Sequence, residues 1–240
     1  MILLIDIGNS RTKYSKYSEG NRSSIESLPN RELTSEYLTK YFSDIERVIV
    51  ASVSHYKLTN LIELWCTENQ KQYQQVVSEK SMNGVTSGYE RPSQLGVDRW
   101  LTLIAANTLY QGKNTLIVDA GTATTVDLLA SDGTHKGGWI LAGIDTLFKS
   151  VLDNTSQVKA SDANDASLSF GVNSSENVNN ATWAATVGAI SLAVMESEKQ
   201  GIAIDEILMT GGNGPALVEL LPQPCTMIEE LVFIGLQAYI

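Results

Sequence analysis

Cysteine is scarce in this sequence: Cys66 and Cys225 are the two present in 240 residues. They lie far apart and belong to no CxxC or Cys/His spacing, which excludes a disulfide framework and a zinc site as the basis of the fold. Both are expected to be ordinary buried thiols. Histidine is equally rare. His55 and His135 stand without a nearby nucleophile pattern, so a solvated or hydrogen-bonded structural role is expected for each. Positive charge is also short, with 17 Lys and Arg against 27 Asp and Glu and a net charge of -10. That sign repels the phosphate backbone of nucleic acid and an anionic membrane surface, so neither is expected as a partner. Any phosphate bound here must be held by local groups. Long apolar runs are missing too. The opening run Met1 to Ile5 has no basic flank and ends at Asp6, and no other run reaches membrane-spanning length. The expected address is cytoplasmic.

The 43% hydrophobic content is enough for a substantial core, in one large domain or two small ones. Ile2 to Ile5, the turn Asp6-Ile7-Gly8-Asn9-Ser10 and the alternating stretch through Lys13, Tyr14 and Tyr17 predict strand, tight turn, strand. A polar helical region over 31–44 follows. Val48 to Val53 has the β-branched content of a buried strand, and Leu58 to Gln70 has helical apolar spacing. Leu101 to Tyr110 predicts a helix stopped at Gly112, where a domain boundary is placed. The expected lobes are therefore 1–112 and 113–240. Alternation of strand and helix favours an α/β sheet.

The opening pattern then returns. Leu116-Ile117-Val118-Asp119-Ala120-Gly121-Thr122 repeats the order of Leu3-Leu4-Ile5-Asp6-Ile7-Gly8-Asn9, with the aspartates 113 positions apart (119 minus 6). Repetition over so long a period implies duplication of a whole structural unit. Beyond it, the Asn/Ser/Asp-rich stretch from Asp153 to Asn180 predicts a loop, and an Ala-rich helix is expected from about Ala181 to Glu198. A last strand, Glu206 to Thr210, runs into Gly211-Gly212-Asn213-Gly214.

A strand that ends in Asp and turns through Gly sets a carboxylate beside several backbone amides, a geometry suited to phosphate oxygens. The carboxylates cannot hold phosphate directly. Their work would be to hold a cation against a nucleotide. One such turn is an ordinary hairpin signal, but two at matched strand ends, with a third glycine-rich turn at Gly211 to Gly214, favour phosphate binding. Trp65, Trp139 and Trp183 are expected in the core or an interface.

These motifs resemble the superfamily of acetate and sugar kinases, chaperones and actin, whose fold implies two ribonuclease H-like lobes with a nucleotide cleft between them. Tyr89-Glu90-Arg91-Pro92-Ser93-Gln94-Leu95-Gly96-Val97-Asp98-Arg99-Trp100 further resembles the Tyr...Pro...Leu-Gly-x-Asp-Arg motif of type III pantothenate kinases, as do Asp6 to Lys13, Asp119 to Thr124 and Gly137-Gly138-Trp139-Ile140. The resemblance implies phosphorylation of pantothenate by ATP with Mg2+, in a homodimer whose packing could use the helix from Ala181 to Val194. It implies that Asp6, Ile7, Gly8, Asn9, Ser10, Arg11, Thr12 and Lys13 contact ATP and that Thr122 touches phosphate. Asp119 would bind a monovalent cation, K+ or NH4+. Asp98 would be the catalytic base, with Tyr89, Gly96, Val97, Asp98 and Arg99 holding pantothenate. An arginine is a suitable partner for an anionic acceptor in an acidic chain. Asp98 and Arg99 also fit a plain helix-start ion pair. The family's substrate-contacting threonine falls at Ser174, with Ser175 and Thr182 as competitors, and Ala142 stands where the family pattern has proline. Two other functions stay open: a kinase of this architecture for another small alcohol or acid, and a regulator that binds nucleotide or pantothenate.

Overall fold

The computed structural model describes residues 1–53, 56–155 and 165–240. His55 lies outside the described residues. The chain groups into two compact units, one made of 1–83, 89–105 and 230–240, the other of 84–88 and 106–229.

The first unit is built on strands β1 (Ile2–Ile7), β2 (Arg11–Ser18), β3 (Asn21–Arg22), β4 (Glu26–Pro29), β5 (Arg47–Ser52) and β6 (Gln72–Gln75). The sheet order is β3-β2-β1-β5-β6, with β4 also paired to β2. β1 pairs antiparallel with β2 and parallel with β5. Side chains alternate across a strand. Leu3, Ile5 and Ile7 therefore join Val48 and Val50 in one core, while Asp6 shares the opposite face with Leu4. Helices α1 (Ser35–Phe42) and α2 (Tyr56–Glu68) close that core. Thr34 caps α1 by accepting from Tyr37 N, a bond worth about 1 kcal/mol at such a position. In α2 the buried residues are Thr59, Ile62, Trp65 and Cys66, one helical stripe, and Trp65 Nε1 donates to Thr39 Oγ1 at 2.9 Å. Short strand β7 (Ser81–Met82) leads towards helix α3 (Val97–Leu109). The helix thus starts one turn before the expected Leu101. Trp100 N already donates to Gly96 O at 2.9 Å, so Asp98 lies within the first turn.

The second unit holds β8 (Val85–Thr86), β9 (Thr115–Ala120), β10 (Ala123–Leu129), β11 (His135–Ala142), β12 (Glu206–Thr210) and β13 (Thr226–Met227). Its five-stranded sheet has the order β11-β10-β9-β12-β13, again an antiparallel hairpin followed by parallel strands. Leu116, Val118 and Ala120 enter a core with residues of α4 (Ile144–Asp153), α5 (Ser174–Lys199) and α6 (Gly214–Leu220), so Asp119 faces the other way, as Asp6 does. The expected loop over 153–180 is corrected at its end. α5 begins at Ser174 because Asn173 accepts from Glu176 N at 3.0 Å, so this Asn/Ser/Glu cluster is a helix cap. The last helix, α7 (Leu231–Gln237), belongs to the first unit and packs on β1. Arg22 pairs with Glu230 there, and Arg47 donates to the carbonyls of Tyr239 and Ile240. These ties make the units interleave along the chain, a more complex division than the expected single cut after Gly112. Cys66 is fully buried, whereas Cys225 is only partly so.

Candidate active site

Each hairpin is set by the same local geometry. Asp6 and Asp119 are the fifth residues of β1 and β9, each partly exposed between buried neighbours. In each turn the glycine N–H closes the hairpin: Gly8 N donates to Arg11 O and Gly121 N to Ala123 O, both at 3.0 Å. The first loop is wider, running through exposed Asn9 and Ser10. It is pinned by a residue that sequence patterning did not single out. Asn30 Nδ2 donates to Gly8 O at 2.9 Å and Asn9 O at 3.2 Å, while its Oδ1 accepts from the buried Thr12 hydroxyl at 2.9 Å. Arg11 is fixed on Ser27 Oγ at 2.8 Å. Lys13 lies beside Asp6 in register, exposed.

The second hairpin is hemmed in by glycines. A β-carbon on Gly211, which has φ +89°, would fall 2.6 Å from Asp119 Oδ1, and one on Gly143 would fall 2.3 Å from Gly121 O. Only glycine lets these backbones come so near. Thr122 is exposed, and its carbonyl accepts from Gly143 N and from Thr146 Oγ1. The third glycine-rich turn thus lies against the Asp119 carboxylate within the same unit. This is a cradle of carboxylate and backbone that suits a cation with phosphate oxygens.

The motif from Tyr89 to Trp100 forms a cluster at the start of α3. Arg99 is 4% exposed, and its Nη1 donates to Tyr89 Oη at 2.8 Å with the guanidinium 5.6 Å from the ring centroid. A buried guanidinium is retained only with partners. Asp98 Oδ1 accepts from Arg99 N at 2.8 Å, and Gly96 has no β-carbon, which would otherwise stand 2.6 Å from that oxygen. The carboxylate is therefore already turned towards the helix start. Val97 is buried and anchors this turn. Ser174 is the exposed first residue of α5. Its competitor Thr182 is buried, with its hydroxyl donated to Asn179 O at 2.7 Å.

Other chemistry-bearing groups are structural. His135 and Asp127 are both buried, and Nε2 donates to the carboxylate at 2.8 Å, the hydrogen-bonded role expected for His135. Burial pushes the Cys66 thiol up to about 11, so it is no nucleophile at neutral pH. Trp65 and Trp183 are core residues, while Trp139 is 38% exposed on β11.

Comparison with known proteins decides among the kinases this geometry would suit. The family model for type III pantothenate kinase matches residues 2–196. This chain belongs to the type III pantothenate kinase family. A type III pantothenate kinase of Colwellia psychrerythraea is 48% identical over 249 residues, covering the whole of both chains. Another, of Pseudoalteromonas translucida, is 34% identical over 90% of this chain and 87% of its own. Among solved structures, glucokinase from an Antarctic psychrotroph superposes with a TM-score of 0.53 at 14% identity, covering 99% of this chain and 98% of that one. That likeness bears out the expected α/β fold of two actin-like lobes. Membership of the type III pantothenate kinase family makes the chain a kinase, a user of ATP and divalent metal. No described helix is long and apolar enough to cross a membrane.

Proposed function

We propose that this chain transfers the γ-phosphoryl group of ATP to the primary hydroxyl of pantothenate, yielding 4'-phosphopantothenate for coenzyme A biosynthesis. The observation that carries this reading is the buried Arg99 bonded to Tyr89 at the head of α3, a prepared anion partner in a chain of net charge -10. In this reading Tyr89, Gly96, Val97, Asp98 and Arg99 hold pantothenate, with Ser174 as a further contact. Asp98 accepts the hydroxyl proton as that oxygen attacks phosphorus. Asp6 to Lys13 hold ATP, and Thr122 contacts phosphate. Asp119 holds a monovalent cation, K+ or NH4+, which its glycine-bordered carboxylate suits. Bound Mg2+ and K+ would supply positive charge against the phosphate oxygens. The protein's own share is to present, in each hairpin, a carboxylate beside the amides of its turn.

The reading extends to a cytoplasmic homodimer. Its support is an apolar groove of about 360 Å³ lined by Leu147, Val151, Val178, Ala181 and Ala185, with Phe170 and Val172 fully open nearby. A coupled ADP-release assay with purified protein tests the activity. Pantothenate should support turnover in potassium and far less in sodium, and other small hydroxy acids should not. Turnover with another acid and none with pantothenate would reassign the acceptor. Nucleotide binding without any turnover would make the chain a regulator. Sedimentation at micromolar concentration reads the dimer.

A further inference from the structure

Gly96 to Arg99, the proposed acceptor turn, are flanked by residues that other parts of the first unit hold in place. Before the turn, the buried Ser78 hydroxyl donates to Leu95 O at 2.8 Å. After it, the fully buried Trp100 donates from Nε1 to Tyr239 Oη at 2.9 Å, and that hydroxyl donates in turn to Glu79 Oε1 at 3.2 Å. At the next residue, a β-carbon on Gly235 of α7 would stand 2.2 Å from Leu101 O. Real β-carbons do not approach a carbonyl so closely, so the backbone of α7 lies directly on that of α3 because residue 235 is glycine.

Tyr239 is itself anchored. Arg47 Nη2 donates to Tyr239 O at 2.9 Å and to Gln74 Oε1 at 2.6 Å, while Nη1 donates to Ile240 O at 3.1 Å. The guanidinium thus ties residues 239 and 240 to the start of β5 and to β6. Two apolar rings would fill the space of Tyr239 and Trp100 without desolvating a hydroxyl and an indole N–H. A buried polar network specifies one geometry instead, because each of its bonds must be met. What it specifies here is the rotation of the first turn of α3. Side-chain ends stand about 5 to 6 Å from a helix axis, so a rotation of about 10° carries the head of Asp98 or Arg99 by about 1 Å.

We propose that the Tyr239–Trp100 bond, seated by Arg47 and by the contact of Gly235 with Leu101, is a positioning element that fixes the first turn of α3 and so sets efficiency with the acceptor. The inference rests on the reading of Asp98 and Arg99 as acceptor-site residues. Loss of the bond lets the turn rotate and carries both heads off the acceptor. A displacement of about 1 Å at a reacting site can cost on the order of 100-fold in rate. None of these contacts involves Asp6 to Lys13, so use of ATP is spared.

The test measures kcat and KM for both substrates, with melting temperature, in Tyr239→Phe, Arg47→Gln, Thr39→Val and Asp98→Asn. Thr39 accepts from the other buried indole bonded in this unit, Trp65 Nε1 at 2.9 Å, so Thr39→Val removes a bond of the same kind away from α3. Tyr239→Phe should lower kcat/KM for pantothenate about 10-fold or more while KM for ATP holds. Arg47→Gln, which loosens the anchor and leaves the Tyr239 hydroxyl in place, should act in the same direction and decides the matter if Tyr239→Phe does not fold. Thr39→Val should lower the melting temperature and change neither substrate's constants. An equal loss of kcat/KM for pantothenate in Thr39→Val would make the effect one of general stability and overturn the positioning role. If Asp98→Asn loses turnover while Tyr239→Phe and Arg47→Gln only lower the melting temperature, the positioning role is overturned and the acceptor site stands. If Asp98→Asn turns over normally, the acceptor reading fails, and the positioning role with it.

Discussion

Replacing Asn30 with aspartate exchanges one NH2 group for one oxygen and reverses the side chain's relation to the β1–β2 turn. In the native protein Nδ2 donates to the carbonyls of Gly8 and Asn9, and Oδ1 accepts from Thr12. Asn30→Asp keeps the acceptor for the buried Thr12 hydroxyl, so that group is not orphaned. It loses both donations and points a carboxylate at two carbonyl oxygens. Two neutral hydrogen bonds contribute about 1 to 3 kcal/mol together. For a chain of this size, each kcal/mol lowers the melting temperature by about 2 to 4 °C. If the Gly8-Asn9-Ser10 loop receives ATP, part of the same energy is lost from nucleotide binding, at tenfold per 1.4 kcal/mol. KM for ATP should rise about 10-fold and KM for pantothenate should not change. Asn30→Ala is the companion variant. It leaves Thr12 without its acceptor and is the more destabilising of the two, yet adds no charge beside the loop. Steady-state kinetics with each substrate varied, beside calorimetry on the same preparations, read both effects. A full loss of stability in Asn30→Asp with an unmoved KM for ATP would show that Asn30 merely supports the fold and that this hairpin does not receive the nucleotide.

Asp98→Asn keeps size and the bond to Arg99 N but cannot take a proton, so kcat should fall on the order of 100-fold with ATP binding intact. A stability loss of roughly 0.5 to 2 kcal/mol with normal turnover would make Asp98 a helix-start residue only. Asp6→Asn should weaken use of ATP with divalent metal and spare pantothenate, and a selective loss of pantothenate affinity would contradict its placement. Cys66 gives a pH prediction. Burial raises its thiol from 9.0 to about 11, so the native state favours the protonated form. That contribution is complete below about pH 9 and is lost as pH rises towards 11. By pH 10 it should cost about 1 kcal/mol of unfolding free energy. Urea melts at pH 8 and pH 10 should show the loss, and Cys66→Ala, though less stable throughout, should show less of it.

The paired hairpins were legible because strand periodicity does the work. An aspartate one residue before the strand end, flanked by apolar neighbours, must leave the core face, and a following glycine must turn. Those facts are local. Asn30 was not legible because its partners Gly8, Asn9 and Thr12 are about twenty positions away and no periodicity marks it. The start of α5 was misread for a related reason. Asn173, Ser174 and Glu176 have loop composition, yet Asn173 at the cap accepts from the helical Glu176 N while the Glu176 carboxylate reaches back to accept from Val172 N just before the cap. Composition gives the residue types, and only their spacing tells cap from coil. The start of α3 shows the same effect, since Gly96 opens a helix whose apolar stretch begins only later. The return of α7 to the first unit depends on Arg22, Arg47 and Gly235, the last of which would clash with Leu101 O at 2.2 Å if it carried a β-carbon. No local pattern shows that packing.

The two hairpins share a register but differ in what closes them, and this difference bears on their roles. The first turn is held by side-chain amide groups of Asn30 and leaves Asn9 and Ser10 exposed at its tip. Such a turn offers several donors and can adapt to an extended polyphosphate. The second is closed chiefly by backbone, Gly143 N on Thr122 O and Asn213 N on Ala120 O, with the Thr146 hydroxyl also on Thr122 O and Gly211 against the Asp119 carboxylate. Backbone closure gives a stiffer seat and holds one carboxylate in a defined place. A weakly hydrated monovalent cation needs fixed oxygens at fixed distances more than it needs many charges. Under the proposed function the duplicated turn would therefore supply two chemistries from one geometry: an adaptable donor loop after Asp6 and a rigid oxygen site at Asp119. In a chain whose net charge repels phosphate, the proposed nucleotide hairpin would meet the charge of ATP by local groups, without a basic surface.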